Sequence, residues 1–350
     1  MRFDGLELAG LFPEEIAERL KLRRFEAFRA EQIFHWLQGR AVLEFEEMAN
    51  IPNKLIRLLK KELASPLSLE AVKIRTSRDG TEKYLFQLED GHTIETVLIP
   101  ETQRQTVCLS SQVGCAMDCS FCATGRAGFI RNLSAGEIVS QILWVENRLR
   151  KKKLTITNVV LMGMGEPLAN YDSVLKSIRL LNHPSGRNLG ARRFTVSTCG
   201  LVPGILALAR EDLQVNLAVS LHGADDKIRS ELMPVNQRFP LAKLLEACAF
   251  YFEQTGRRIS FEYALILDFN DSLKHARQLR DLLRGLASHV NLIPVNPVEG
   301  YKRPDQDRIR SFQEILDQGG VSVSIRKERG TDIEAACGQL RQRVFSPQFL

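Results

Sequence analysis

The chain has 350 residues, 44% hydrophobic and 26% charged, and carries a formal charge of +6. That is ordinary composition for a soluble globular protein, and the length exceeds what one core usually holds, so one large barrel with an appendage is expected. No stretch reaches the roughly 18 apolar residues of a membrane span, and Met1-Arg2-Phe3-Asp4-Gly5 has no apolar leader core, which points to the cytoplasm and no membrane.

Residues 1–66 read as a helical domain. Pro13-Glu14-Glu15 opens a helix with Ile16 and Leu20 on one face; Ala30, Ile33, Phe34 and Leu37 recur at helical spacing until Gly39; Leu55, Ile56, Leu59 and Leu63 follow Pro52-Asn53. Basic residues gather at Lys21, Arg23 and Arg24, at Lys54, Arg57, Lys60 and Lys61, and at Lys151 to Lys153. Each cluster reads as a solvated face or as a grip on a polyanion such as RNA. Over 67–103 the period changes to two. Strands at Leu69–Ile74, Lys83–Leu88 and Thr93–Ile99 are separated by the turn residues Arg78-Asp79-Gly80 and Glu89-Asp90-Gly91, an antiparallel meander.

From 104 to 350 strands and helices alternate. Candidate strands fall near 105–110, 156–162, 192–197, 214–220, 258–265, 289–295 and 321–327, and Ser134 with Glu137 marks a helix start by capping box. Alternation of this kind means parallel βα units, so the fold class is α/β: a partial (β/α)6 TIM-like barrel with its chemistry at the C-terminal strand ends.

In a reducing compartment, seven cysteines read as ligands or catalysts, not as a disulfide framework. Cys115, Cys119 and Cys122 form a C-x3-C-x2-C cluster in a glycine-containing loop after a strand. Three thiolates so spaced can hold three corners of a [4Fe–4S] cube and leave the fourth iron open; structural zinc is the alternative, but it lacks a second nearby ligand pair. Cys108, in the apolar run Val107-Cys108-Leu109, reads from spacing alone as a core cysteine, and Cys337 as either an idle thiol or a catalyst.

The cysteine spacing, with Phe121 before the third ligand, resembles the radical-SAM superfamily. Gly163-Met164-Gly165-Glu166-Pro167 resembles that superfamily's GGEP-type motif, and Ser197, the triplet Ser220-Leu221-His222 and Asn296 stand at later strand ends. More specifically, Phe28-Arg29-Ala30, Ile94-Glu95-Thr96-Val97, Cys122-Ala123-Thr124-Gly125, Arg131-Asn132-Leu133 and Ala335-Ala336-Cys337-Gly338-Gln339-Leu340 resemble the RlmN/Cfr family of radical-SAM 23S rRNA adenine methyltransferases. The run Gly330-x-Asp332-Ile333 favours the RlmN side, hence C2 over C8 methylation.

The resemblance implies a [4Fe–4S] cluster on Cys115, Cys119 and Cys122. It implies two S-adenosylmethionines per turnover, bound by Gly165, Glu166, Ser197, Ser220, Leu221, His222 and Asn296. It implies that Cys337 receives a methyl group, that Glu95 is the base, and that Cys108 resolves an RNA adduct and leaves a disulfide. The implied partners are 23S rRNA, tRNA as a second candidate substrate, an electron donor such as flavodoxin or ferredoxin, and a thiol reductant. Cys199 and Cys248 match no catalytic position, and Cys248 reads as core packing. The competing readings are a radical-SAM enzyme with a non-RNA substrate and a metal-stabilised RNA-binding protein.

Overall fold

The computed structural model describes residues 7–21, 24–63, 65–295 and 300–340. The chain opens with α1 (Pro13–Lys21), α2 (Phe28–Phe34) and α3 (Asn53–Glu62). Pro13, whose fixed φ suits a first turn, starts α1, with Glu14 and Glu15 at its positive end and Arg19 and Lys21 at its negative end. These helices are not a loosely tethered unit. Ile16, Leu20, Phe34, Leu55 and Leu59 are buried in one core continuous with the rest of the described chain.

Next come β1 (Leu69–Thr76), β2 (Glu82–Leu88) and β3 (Thr93–Glu101), an antiparallel meander, and β4 (Arg104–Cys108), antiparallel to β3. A small hairpin follows, β5 (Gln112–Gly114) and β6 (Phe129–Asn132), with the single turn α4 (Ala123–Arg126) inside its loop. The βα units then run α5 (Ala135–Lys151), β7 (Asn158–Leu161), α6 (Tyr171–Asn182), β8 (Phe194–Thr198), α7 (Val202–Leu208) and β9 (Asn216–Ser220). They continue through α8 (Asp226–Leu232), α9 (Val235–Arg238), α10 (Leu241–Thr255), β10 (Ile259–Leu265), α11 (Leu273–Leu282), β11 (Ser288–Pro294), α12 (Gln306–Gln318) and β12 (Ser322–Ile325).

The strand order β1-β2-β3-β4-β7-β8-β9-β10-β11-β12 makes one sheet, parallel from β4 onward. This is the expected open α/β barrel with an antiparallel extension. The meander is an uninterrupted continuation of the barrel wall, because β3 pairs directly with β4. The Ser134–Glu137 capping box is formed reciprocally at the start of α5. Sequence periodicity did not show the β5–β6 hairpin, whose strands are three and four residues long. Among the described residues no helix is long and apolar enough to cross a membrane.

Candidate active site

The hairpin presents the cysteine loop. Gly114 has φ +78, and a Cβ there would lie 2.0 Å from the Gly128 carbonyl oxygen, so this close approach demands glycine. The Cys115 amide donates to that carbonyl at 2.8 Å, the Cys122 amide donates to Cys119 O at 3.0 Å, and the Ser120 amide donates to Leu232 O at 3.0 Å. These bonds aim Cys115, Cys119 and Cys122, all half-buried, into a cleft of about 1000 Å³ counting its open mouth. Gly163, Gly165, Glu166, Ser197, Ser220 and His222 line the same cleft, so the structure brings most of the expected cofactor residues together.

Glu166 is buried, and its carboxylate accepts from the amides of Leu168 at 3.0 Å and Cys199 at 2.7 Å. Burial raises its pKa, against the lowering effect of those donors. Gln112 Oε1 accepts from the Glu166 amide at 2.8 Å. The glycines of this motif serve packing as well: a Cβ on Gly163 would lie 2.5 Å from Leu109 O, and one on Gly165 2.6 Å from Gln112 Cβ. Cys199 thus contributes its backbone to the site by holding Glu166.

Two expected residues behave differently from the polar positions. Leu221 is fully buried and its side chain belongs to the core, off the cleft lining. His222, at φ +54, accepts from the Ala264 amide through Nδ1 at 2.9 Å and packs edge-on against Phe121 with centroids 4.7 Å apart. Burial, with help from Arg229, pushes its pKa down to about 3, so the ring is a neutral brace for the cysteine loop. Asn296 lies outside the described residues.

Cys108, at the end of β4, pairs in register with Val97 of β3 and Val160 of β7. It lines a second chamber with Val97, Thr106, Met162, Arg326 and Cys337. Cys337 and Arg326 line both this chamber and the cysteine cleft. Burial, then the neighbouring Cys337, pushes the Cys108 thiol up to about 12, and Arg326 opposes them. The structure does not support a standing disulfide between Cys108 and Cys337: none of the seven cysteines is bridged. The resemblance implied that bond as left behind after turnover, and two reduced thiols on neighbouring elements need no bond to hold the fold.

Glu95, on β3, is buried, and Lys83 Nζ lies 3.1 Å from its Oε1. It lines a small cavity with Lys73, Arg75, Lys83 and Leu85, outside the linings of the two larger spaces. Its position two residues before Val97 nonetheless puts it on the strand face that bounds the Cys108 chamber.

Three further residues went unnoticed in the sequence. Arg326 follows β12, where the strand-end rule could have found it. Glu262 is a single acid within the apolar strand β10, buried, facing the cleft and bonded by Asn291 Nδ2 at 2.8 Å. Arg229, fully buried although it sits on α8, donates to Cys199 O and Asn236 Oδ1, each at 2.6 Å.

An open parallel barrel with a three-cysteine loop beside a glycine–glutamate turn at its C-terminal strand ends defines a radical-SAM enzyme. Residues 109–279 match the Radical SAM superfamily model. Residues 6–64 match the ribosomal RNA large subunit methyltransferase N-terminal domain. A curated relative from Heliobacterium modesticaldum, named "Probable dual-specificity RNA methyltransferase RlmN", is 54% identical over 345 residues, covering 96% of this chain and 89% of the relative. One of the same name from Geobacillus thermodenitrificans is 46% identical over 335 residues, covering 94% and 91%. The crystal structure of a radical SAM methyltransferase from Sphaerobacter thermophilus superposes with a TM-score of 0.94 at 48% identity, over 96% of this chain and 99% of that one. The chain belongs to the RlmN family of radical-SAM RNA methyltransferases.

Membership implies S-adenosylmethionine and an iron–sulfur cluster; the three cysteines line one cleft and are the donor type such a cluster takes, but among the described residues their side chains do not converge into a metal-holding group. Burial pushes the Cys115 thiol up to about 12 and raises Cys119 as well. The buried Glu166 carboxylate at the cleft wall suits an ammonium group.

Proposed function

We propose that this chain methylates C2 of an adenine in 23S rRNA, with tRNA as a second substrate. The observation that carries this reading is the placement of Cys337, whose residue lines both the cofactor cleft and the chamber of Cys108. A thiol so placed can receive a carbon on one side and be relieved of it on the other.

Cys115, Cys119 and Cys122 would hold a [4Fe–4S] cluster, which with two S-adenosylmethionines per turnover would supply the methyl group and the hydrogen-abstracting radical chemistry. Ring C2 lies between two nitrogens and is electron-poor, which closes the ordinary route of methyl-cation transfer. Glu166, the backbone of Gly165, Ser197, Ser220 and Asn296 hold the methionine and ribose portions. Cys337 takes the methyl on sulfur and then ties that carbon to the adenine ring. Glu95 accepts the ring proton, and Cys108 attacks the Cys337 sulfur and frees the RNA. The helical segment within 1–66 grips phosphates, the strands of 67–103 back the base-binding wall, and 104–350 carries the chemistry. A low-potential carrier of the flavodoxin or ferredoxin class and a thiol reductant restore the protein between turnovers.

Mass analysis of adenines in RNA treated with the reconstituted protein tests this reading. It predicts 2-methyladenine. Exclusively 8-methyladenine, or unmodified RNA alongside active cleavage of S-adenosylmethionine, would refute it.

A further inference from the structure

Lys83 has no role in the account so far, yet its side chain is only 4% exposed. A buried lysine costs several kcal/mol in lost hydration, so the contacts that hold it are informative. Its ammonium reaches Glu95 Oε1 at 3.1 Å and donates to the carbonyl of Glu334 at 2.9 Å. Glu95 is the proposed base, and Glu334 stands three residues before Cys337. One charged group on β2 therefore touches both the proposed base and the loop that delivers the methyl-carrying thiol.

The loop has local reasons to need such a tether. Glu334 adopts φ +55 and ψ +40, a left-handed conformation costly for a side chain with a Cβ. It follows Gly330, also left-handed at φ +62, whose amide donates to Asp79 Oδ2 at 3.1 Å. Ser77 Oγ donates to Asp332 Oδ1 at 2.6 Å, and the Arg78 amide donates to Asp332 Oδ2 at 3.3 Å. The β1–β2 turn thus holds the start of the loop from outside, while Lys83 holds the strained residue nearest Cys337 from inside. On the far side of Cys337, the Ala123 amide donates to Gly338 O at 2.8 Å and ties the loop to the cysteine-ligand segment.

We propose that Lys83 is a positioning residue that sets the Cys337 loop in register with Glu95, so that the methylated thiol and the base act on the same ring. Its chemical meaning rests on the roles proposed for Glu95 and Cys337; its geometric part does not. The radical chemistry needs the methyl carbon at one fixed point, and a loop held by a charged hydrogen bond keeps that point better than one held by neutral contacts.

The test uses the cluster-reconstituted full chain and four proteins: wild type, Lys83→Met, Glu95→Gln and the double variant Lys83→Met/Glu95→Gln. The double variant is included because Lys83→Met alone removes a cation beside a buried carboxylate and could fail to fold. Hydrogen–deuterium exchange of amides 334–337 should be about tenfold faster or more in the proteins lacking Lys83. Glu95→Gln, which keeps the Lys83–Glu334 bond, should exchange like wild type. In the double variant the rate of methyl arrival on Cys337, read as a mass gain of one methyl group, should fall about tenfold, with the half-saturating S-adenosylmethionine concentration unchanged. Wild-type exchange without Lys83, or equal loosening by Glu95→Gln, would overturn the assignment and leave an ordinary buried charge pair. If loop exchange responds as expected but wild type makes no 2-methyladenine, the proposed function fails while the tether stands.

Discussion

The Arg326 guanidinium lies 3.7 Å from the Glu262 carboxylate and lines both the cysteine cleft and the Cys108 chamber. Cys337, then Glu262, holds its pKa above the ordinary arginine value despite burial. Arg326→Gln takes this cation from the buried Glu262 carboxylate and should lower stability to chemical denaturation by about 1–3 kcal/mol. Unchanged stability would show that the pair does not hold the cleft wall.

The cysteine triad makes a direct prediction. Anaerobic reconstitution with iron and sulfide should give a brown protein with about four irons per chain. Cys115→Ala, Cys119→Ala and Cys122→Ala should each abolish cleavage of S-adenosylmethionine. Colourless wild-type protein loaded with zinc would contradict the cluster assignment.

Much of the scaffold was legible because the signals are local. Strand runs of β-branched residues, the Ser134–Glu137 cap and the spacing of the three cysteines all lie within a few positions of one another. What stayed hidden depends on contacts across the chain. Lys83 meets Glu334 across 251 positions, and Ser77 meets Asp332 across 255. Neither pair leaves a mark in the periodicity of its own segment. Leu221 and His222 stand at a strand end as the sequence suggests, and only the structure shows what their side chains do: Leu221 packs in the core, while His222 lines the cleft and braces Phe121.

Cys248 gives a pH prediction with a definite sign. Burial pushes its thiol from 9.0 up to about 12, against a small opposing effect of Arg229. The folded value is above the unfolded one, so its contribution is fully present below pH 9 and is lost as pH rises toward 12. Between pH 9 and 10 this group alone should cost wild type about 1 kcal/mol, a loss absent from Cys248→Ala. At neutral pH the same variant should be about 1 kcal/mol less stable than wild type, from the missing buried sulfur. Chemical denaturation at both pH values checks this, and parallel pH profiles would refute it.

The proposed RNA grip of the helical segment is tested by salt dependence. Lys54, Arg57 and Lys61 are exposed on α3, opposite the buried Leu55, Ile56 and Leu59. Lys60 instead pairs with Glu46. Lys54→Ala and Lys61→Ala should each reduce the slope of log affinity against log salt by about 0.7–0.9, and Lys60→Ala by less. RNA binding that ignores all three changes would make this a solvated helix face.

The shared chamber of Cys108 and Cys337 carries the central claim, and one measurement reaches it most directly. Cys108→Ala protein, with its cluster reconstituted, is incubated with S-adenosylmethionine, reductant and RNA, then denatured, digested and analysed by mass spectrometry. In the proposed mechanism Cys108 acts only after the carbon bond to adenine exists, so the account predicts a Cys337 peptide covalently carrying a nucleotide. Cys337→Ala should give no such peptide, and its cluster should still form. Free 2-methyladenine RNA released by Cys108→Ala at the wild-type rate, with no nucleotide on Cys337, would contradict the account.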